Sequence, residues 1–126
     1  MTVIKNFEDI IAWQKARQLT NEIYAIFKSS RDFGFRDQIE RASVSIMNNI
    51  AEGFERRSQK DFLRFLVIAK ASCGEVRSLL YLAEDLRYLE QEKAKTLRNF
   101  TIDISKLLAK FISSLSLPSR NEERTE

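Results

Sequence analysis

The sequence predicts an all-α protein folded as an antiparallel up-down-up-down four-helix bundle. Its 126 residues include only three Gly and one Pro, and Pro118 lies beyond the last apolar segment. Residues that break helices are therefore scarce in the apolar part of the chain. Apolar residues also recur at intervals of three and four through four successive segments, which indicates four amphipathic helices. Four such helices with short connections pack most simply as a bundle of antiparallel neighbours.

The first helix is predicted to extend from Asn6 to about Ser29. Asn6 followed by Asp9 is typical of an N-cap with an acid in the first turn. The core-facing residues at helical spacing are Ile10, Trp13, Ala16, Leu19, Ile23 and Phe27. The polar segment 29–34, which ends in Gly34, is the predicted connection to the second helix.

The segment 37–58 is predicted to form a second helix with two different faces. At about 100° per residue, the core face carries Ile39, Ala42, Ile46, Ile50 and Gly53. The opposite face carries Arg41, Ser45, Asn48 and Glu52, with Asn49 at its edge. Ser and Asn are only middling helix formers, and they prefer caps and turns. This face is therefore predicted to make a specific polar contact.

The third helix is predicted to begin after Ser58, because Asp61 three residues later resembles a capping box. Its core face carries Phe62, Leu66, Ala69, Cys73, Val76, Leu80 and Ala83. A second apolar stripe on this helix consists of Phe65, Ile68, Leu79, Leu82 and Leu86. The third helix is therefore predicted to contact two neighbouring helices. The apolar phase is lost at about residues 87–92. The fourth helix then uses Leu97, Phe100, Ile104, Leu107, Leu108, Phe111 and Leu115.

The chain is predicted to form one bundle domain at residues 1–118, followed by a disordered polar tail at 119–126. Its single Cys73 cannot form an internal disulfide, which fits a reducing compartment. No segment is apolar enough to span a bilayer or to act as a signal peptide, so we expect a cytoplasmic protein with no membrane partner. The wide apolar stripes of helices two and three predict self-association.

The composition argues against catalysis, cofactors and metal ions. The chain has no His, so the usual general base and the commonest metal ligand are both missing. A di-metal bundle would need inward-facing carboxylates and Glu-x-x-His motifs, and the predicted core faces carry no acid. Cys73 is predicted to be a buried apolar filler and not a reactive thiol. We predict no catalytic residue; the competing class is a hydrolase that uses Glu52 as a base.

Basic residues cluster between the second and third helices. They are Arg56, Arg57, Lys60 and Arg64, with Lys70 further on, opposed by Glu55 and Asp61. A solvated helix end gives the same pattern, and the net charge of +3 is weak evidence for a nucleic-acid partner. Repetition around an oligomer would nevertheless create one large positive surface that contacts phosphates. Three tyrosines could stack on bases if exposed, although their spacing favours core or interface positions: Tyr24, Tyr81 and Tyr88.

A second candidate set consists of polar residues on the second and third helices: Arg41, Ser45, Asn49, Glu52 and Glu75. Arg41 and Glu52 are eleven residues apart, about 16 Å at ~1.5 Å per residue, so they cannot pair with each other. The set is predicted to form a structural network or an oligomer interface, with Arg41 reaching a carboxylate such as Glu75; the alternative is a polar pocket. Glu52 is also placed to pair with Arg56, four residues later.

Residues 7–115 resemble a family of bacterial four-helix bundle proteins, which are named for reading frames in intervening sequences of 23S ribosomal RNA genes. The most specific segment is Asn49-Ile50-Ala51-Glu52-Gly53, preceded by Arg41-Ala42 and Ser45-Ile46. The remaining matching residues are Phe7, Trp13, Gln14, Ala16, Phe33, Gly34, Gln38, Ile39, Arg57, Ser58, Phe62, Phe65, Leu66, Ala69, Ser72 and Glu75. Phe35 and Ala71 replace the usual Leu and Gly, which alters packing only.

The resemblance implies a ring-shaped homopentamer without a known enzymatic activity. The family is also similar in fold to the accessory proteins of diversity-generating retroelements, which associate with a reverse transcriptase and nucleic acid. Together these features predict an oligomer that binds structured RNA or DNA through a basic surface. The alternative is a protein-only scaffold for a polymerase-type partner, without direct nucleic-acid contact.

Overall fold

The computed structural model describes residues 3–116, and these residues contain no β-strand. A short 3-10 helix at Phe7–Asp9 precedes four α-helices: α1 (Ile11–Phe27), α2 (Phe33–Glu55), α3 (Gln59–Asp85) and α4 (Gln91–Ser116). The predicted all-α class is confirmed. The predicted tail at 119–126 lies outside the described residues.

The four helices pack in ring order. α2 contacts α1 and α3, α3 contacts α4, and α4 contacts α1 to close the ring. Within residues 3–116 the backbones of the diagonal pairs, α1 with α3 and α2 with α4, do not approach each other closely. Successive helices joined by short turns run antiparallel, so the predicted up-down-up-down bundle is confirmed. The contact between α1 and α4 is the sparsest of the four.

The core lies between the four apolar stripes that the sequence predicts. The core-facing residues predicted for α1 are all buried, and the central residues of the other helices are completely buried: Ile46, Ile50, Leu66, Ala69, Ile104 and Leu108. Burying one large aliphatic side chain stabilises a fold by about 1.5–3 kcal/mol. The apolar stripes that the sequence predicts therefore make a substantial contribution to the stability of the fold.

The start of α1 differs from its prediction. The Asn6 backbone N–H donates to Asp9 Oδ2 at 3.2 Å, but this pair caps the start of the 3-10 helix and not the start of α1. Ile10 is extended, with φ −76° and ψ 119°, and it separates the two helices. The predicted N-cap is thus real but belongs to a different element, and α1 begins at Ile11.

The start of α2 also differs, because Asp32 supplies the cap. Its Oδ1 accepts a hydrogen bond from the Phe35 backbone N–H at 3.1 Å, and the helix begins at Phe33. The sequence predicted that Gly34 ends the connection. In the structure Gly34 instead lies inside the first turn of α2. The next boundary agrees with its prediction, since Ser58 Oγ accepts from the Asp61 N–H at 3.2 Å at the start of α3.

Gly53 permits a close approach between α2 and α3. A Cβ atom added at Gly53 would lie 2.6 Å from Phe65 Cβ, which is closer than two carbon atoms can pack. The helices therefore meet at this position because residue 53 has no side chain.

The turn between α3 and α4 contains neither Gly nor Pro. Arg87 ends α3 instead, in the left-handed conformation with φ 61°, at a cost of about 1–2 kcal/mol. The next residue, Tyr88, donates its hydroxyl to Asp32 Oδ2 at 2.6 Å and packs edge-on against Phe35 at 5.3 Å. This contact joins the α3–α4 turn to the start of α2.

The Asp32–Tyr88 hydrogen bond shifts the pKa of both groups. The bond from Tyr88, followed by the one from the Phe35 N–H, lowers the pKa of Asp32 below its usual value. The same hydrogen bond raises the pKa of the Tyr88 hydroxyl, because deprotonation would place two negative oxygens together.

Candidate functional site

The polar face of α2 forms a hydrogen-bonded contact with α3. Ser45 Oγ lies 2.9 Å from Ser72 Oγ, and Asn49 Nδ2 donates to Ser45 O at 2.7 Å and to Ser45 Oγ at 2.9 Å. Ser72 is buried, and Ser45 and Asn49 are half-buried. We call these three residues the polar seam. It explains why residues of modest helix propensity occur in the middle of α2.

The charged members of the same candidate set are exposed. Within residues 3–116, Arg41 and Glu75 do not form an ion pair, so the pair suggested by the sequence is not made inside the chain. Glu52 does pair with Arg56 at 3.1 Å, as its spacing predicts. The structure therefore joins Ser45 with Asn49 and Glu52 with Arg56, and it leaves Arg41 and Glu75 at the surface.

The predicted basic cluster is exposed at the α2–α3 turn. We call Arg56, Arg57, Lys60 and Arg64 the basic turn; all four are exposed. The guanidinium groups of Arg56 and Arg64 lie over the Phe65 ring, 4.9 and 5.0 Å from its centroid. Phe65 thus holds two of the four cations by cation–π contact, which the sequence did not reveal.

Carboxylates reduce the charge of the basic turn. Arg56 pairs with Glu52, and Arg64 lies 3.5 Å from Asp61. Within residues 3–116, Arg57 and Lys60 form no such pair. With Glu55 at the end of α2, four cations face three carboxylates, so the local excess of positive charge is smaller than the sequence alone suggested.

The second apolar stripe of α3 is only partly covered within the chain. Phe65 and Leu79 are buried, whereas Ile68, Leu82 and Leu86 are 40%, 42% and 46% exposed. We call these last three residues the outer stripe. Leu82 and Leu86 are neighbours one turn apart, and Ile68 lies about four turns away on the same face. Exposed apolar neighbours of this kind can mark contact surfaces.

The three tyrosines discussed above are all exposed, so a core role is wrong for each of them. Tyr88 binds Asp32, as described above. One face of the Tyr81 ring is covered by the Arg98 guanidinium, 4.1 Å from the ring centroid, and Arg98 pairs with Glu84 at 2.7 Å. Tyr81 therefore contacts the Arg98–Glu84 ion pair through one face of its ring.

The described residues contain no arrangement typical of a metal or nucleophile site. No group of three or more His, Cys, Asp or Glu in residues 3–116 could hold a metal ion. Cys73 is buried, and burial raises the pKa of its thiol to about 12, against the opposing charges of Lys70 and Arg77. The thiol is therefore protonated at neutral pH. No described helix has the length and apolar character needed to cross a membrane.

Sequence reasoning missed a small pocket between α3 and α4. It is lined by Lys70, Cys73, Gly74, Arg77, Thr101 and Ser105 and has a volume of about 80 Å³. A signal was present in the sequence, because residues 70, 74 and 77 share one helical face. Nothing in the sequence, however, indicated which residues of α4 would lie opposite.

The comparison with protein families gives one match over most of the chain. The model of the 23S rRNA-intervening sequence protein family matches residues 8–110. The chain belongs to this family. The resemblance predicted over residues 7–115 is therefore confirmed. We found no match among curated proteins.

A solved structure from Bacteroides thetaiotaomicron agrees with this family assignment. It is described as a protein of unknown function from the S23 ribosomal protein family. It is 27% identical to this chain, covers 81% of this chain and 98% of its own length, and superposes with a TM-score of 0.76. The four-helix architecture is thus shared with this relative, and no reaction is attached to either description.

Proposed function

We propose that this 23S rRNA-intervening sequence protein is a non-enzymatic homo-oligomer, a pentamer, that associates with structured RNA through its basic turn. The observation that carries the proposal is the exposure of all four cations at one short turn, two of which make no ion pair within residues 3–116. Exposed cations suit phosphate contacts, because their charged groups are accessible to the phosphate oxygens of RNA.

Self-association supports the RNA-binding proposal by multiplying a small charge. One basic turn carries only a slight positive excess, and a single turn would bind RNA weakly. Five copies in a ring would place five such turns on one assembly, and the family resemblance implies this number. The outer stripe of α3 supplies the apolar area for the contact, and Arg41 on α2 and Glu75 on α3 are exposed charges for pairing between copies.

The proposal of a non-enzymatic role rests on the chemistry of the side chains. Glu52, the base of the competing hydrolase hypothesis, is exposed and paired with Arg56. This is the arrangement of a surface ion pair, not of a general base in a cleft. Turnover of any substrate that Glu52→Gln abolishes while the fold persists would overturn this part of the proposal.

The RNA proposal is tested by titrating the purified protein with a structured RNA and with duplex DNA at two salt concentrations. If ~5 phosphates are neutralised, the slope of log affinity against log salt is about −3.5 for single strands and −4.5 for duplex DNA. The variant in which all four residues of the basic turn are changed to Ala should lose most of this binding. We expect little dependence on base sequence, because phosphate contacts do not read bases.

A matched control removes the same charge elsewhere on the molecule. Changing Lys28, Arg31, Lys95 and Lys106 to Ala also deletes four exposed cations, but none of them belongs to the basic turn. Equal loss in both quadruple variants would indicate binding by net charge alone. Undiminished binding by the basic-turn variant, with its oligomeric state intact, would overturn the proposal.

A protein-only scaffold is the second candidate, and the outer stripe favours it. A polymerase-type partner that docks on this apolar surface would give a shallow salt dependence. Its binding would be insensitive to changes in the basic turn, whereas RNA binding would be lost in the basic-turn variant. That variant therefore separates the two functions.

A further inference from the structure

The pocket between α3 and α4 is lined mainly by cations and hydroxyl groups. Lys70 and Arg77 come from α3, Thr101 and Ser105 come from α4, and no carboxylate is among the lining residues. Its volume is about 80 Å³. A water molecule occupies about 30 Å³ in the liquid, so the pocket has room for about two or three waters or for one small anion.

The two cations of the pocket are positioned to act together. Lys70 and Arg77 are two helical turns apart on one face of α3. Within residues 3–116 neither forms an ion pair with a carboxylate. Both charges act on the Cys73 thiol beneath them and oppose the effect of its burial. Two cationic side chains therefore border the pocket, and within residues 3–116 neither has a carboxylate partner.

Ser105 is the pocket hydroxyl that can donate to an anion, because Thr101 uses its only hydroxyl hydrogen within α4. Thr101 donates its hydroxyl hydrogen to the Arg98 carbonyl at 2.6 Å, which fixes the orientation of its side chain. Ser105 is half-buried at the wall of the pocket, and a serine hydroxyl donates readily to an anionic oxygen.

Gly74 lines the pocket, and its missing side chain is a second observation that bears on the open volume there. It lies in the middle of the 27-residue helix α3, where Gly is less favourable than Ala. A Cβ atom added at Gly74 would meet nothing within 4 Å, whereas one at Gly53 would collide with Phe65. Packing inside the chain explains Gly53 but not Gly74, and the missing side chain of Gly74 leaves the pocket open.

We propose that this pocket binds one phosphate group, held by Lys70, Arg77 and the Ser105 hydroxyl. Guanidinium and ammonium donors form the strongest hydrogen bonds to phosphate oxygens, and the pocket admits only one such group. The phosphate is either a free ion or part of a polynucleotide backbone. Tyr81, one turn beyond Arg77, is exposed although Arg98 covers one face of its ring, so in the second case a base could stack on the other face.

The site is separate from the basic turn, so it does not depend on the function proposed above. The basic-turn variant should bind inorganic phosphate as the parent does. Loss of RNA binding at the turn and loss of phosphate binding in the pocket are therefore distinguishable results.

The direct test is calorimetric titration of the full chain with inorganic phosphate, at an ionic strength held constant with chloride. We expect saturable binding by the parent. Lys70→Met and Arg77→Met should each weaken it roughly tenfold or more, because each removes a charge-assisted hydrogen bond. The matched control is the pair Lys95→Met and Lys106→Met, which removes exposed cations of α4 outside the pocket and should leave the affinity within about twofold.

A steric test uses the open space at Gly74. An added Cβ at Gly74 meets no neighbour, so Gly74→Ala should fold at least as stably as the parent, and Leu at the same position keeps a good helix propensity. Each side chain takes volume from the pocket, and the dissociation constant for phosphate should rise from parent to Ala to Leu. The fold is monitored by circular dichroism in the same samples.

The source of the phosphate is identified with a short single-stranded RNA. If the backbone supplies the group, Gly74→Leu weakens RNA binding and inorganic phosphate competes with RNA. If free phosphate is the ligand, Gly74→Leu abolishes phosphate binding and leaves RNA binding unchanged. The proposal is overturned if the parent binds neither probe, or if Gly74→Leu binds both as tightly as the parent.

Discussion

Gly53 and Gly74 show how one residue type serves two opposite purposes in neighbouring helices. At Gly53 the missing side chain lets α3 approach α2, and an added Cβ would lie 2.6 Å from Phe65 Cβ. We expect Gly53→Ala to destabilise the protein by about 1–3 kcal/mol, the usual cost of overpacking. Gly74→Ala should stabilise it by about 0.5–1 kcal/mol, because Ala restricts the unfolded chain and meets no neighbour.

Urea denaturation of the two variants measures both effects. Each variant serves as the control for the other, since the chemical change is identical. If both variants change the free energy of unfolding by the same amount and in the same direction, helix propensity alone determines the effect of Ala at each position. The close approach of α2 and α3 at Gly53 would then be wrong.

The buried thiol of Cys73 makes stability depend on pH in the alkaline range. Its pKa is raised from 9.0 to about 12 by burial. Above about pH 9 the unfolded chain loses the thiol proton while the folded protein retains it. The free energy of unfolding should therefore fall as pH rises from 9 towards 12, by up to about 1.4 kcal/mol per pH unit.

The check is the free energy of unfolding at several alkaline pH values, for the parent and for Cys73→Ala. The variant loses some packing at every pH, so the informative quantity is the slope against pH and not the absolute stability. A shallower slope is expected for Cys73→Ala. Identical slopes would mean that Cys73 is accessible to water.

At the scale of the helices, the Asp32–Tyr88 hydrogen bond joins the start of α2 to the turn after α3. We expect Tyr88→Phe to lower the melting temperature slightly at neutral pH, since Phe keeps the aromatic contact with Phe35 but not the bond. The bond lowers the pKa of Asp32 below 3.8. Its stabilisation is present above that pH and is lost as the pH falls through the lowered pKa.

The melting temperatures of parent and variant should therefore converge in strong acid. Asp32→Asn is the companion variant, because it removes the titrating group and should make the effect of Tyr88→Phe independent of acid pH. A difference between parent and Tyr88→Phe that stays constant down to the acid limit would exclude this bond as its cause.

The sequence predicted the buried faces of the helices and one of the helix starts. The buried residues of α1 follow directly from their three- and four-residue spacing, and the Ser58 cap follows from one hydroxyl and one backbone N–H. The starts of α1 and α2 could not be placed, because the extended conformation of Ile10 and the capping by Asp32 depend on how the chain enters each helix. Positive φ at Arg87 has no sequence signal at all.

The candidate sites were predictable in composition but not in arrangement. The residues of the basic turn are close in sequence, so their clustering was evident. Their contact with Phe65 and the carboxylates that oppose them depend on side-chain directions at the turn. The pocket between α3 and α4 combines residues from both helices, and the register between two helices is set by packing that no single segment specifies.

At the scale of the whole molecule, the outer stripe predicts that the isolated chain is not the functional unit. Light scattering should give a particle several times larger than the 14.7 kDa chain. Combining Ile68→Glu with Leu82→Lys should reduce the mass to that of one chain, because both changes place charges in the apolar contact. Ile11→Lys on α1 is the control, since Ile11 is also exposed but lies on another helix.

A parent particle of 14.7 kDa at micromolar concentration would contradict self-association. If Ile11→Lys dissociates the oligomer as fully as the double variant does, the outer stripe is not the specific contact surface, and α1 takes part in the interface.

The contact between α1 and α4 is the sparsest of the four helix–helix contacts, so α1 is held mainly by its packing against α2. α1 is also the shortest of the four helices, with 17 residues. Local unfolding follows the least-packed element, so α1 should open without the rest while α2, α3 and α4 remain folded together. In native-state hydrogen exchange, amides in the middle of α1 should show lower protection than those in the middle of α3, and a partly opened form that lacks only α1 should precede global unfolding.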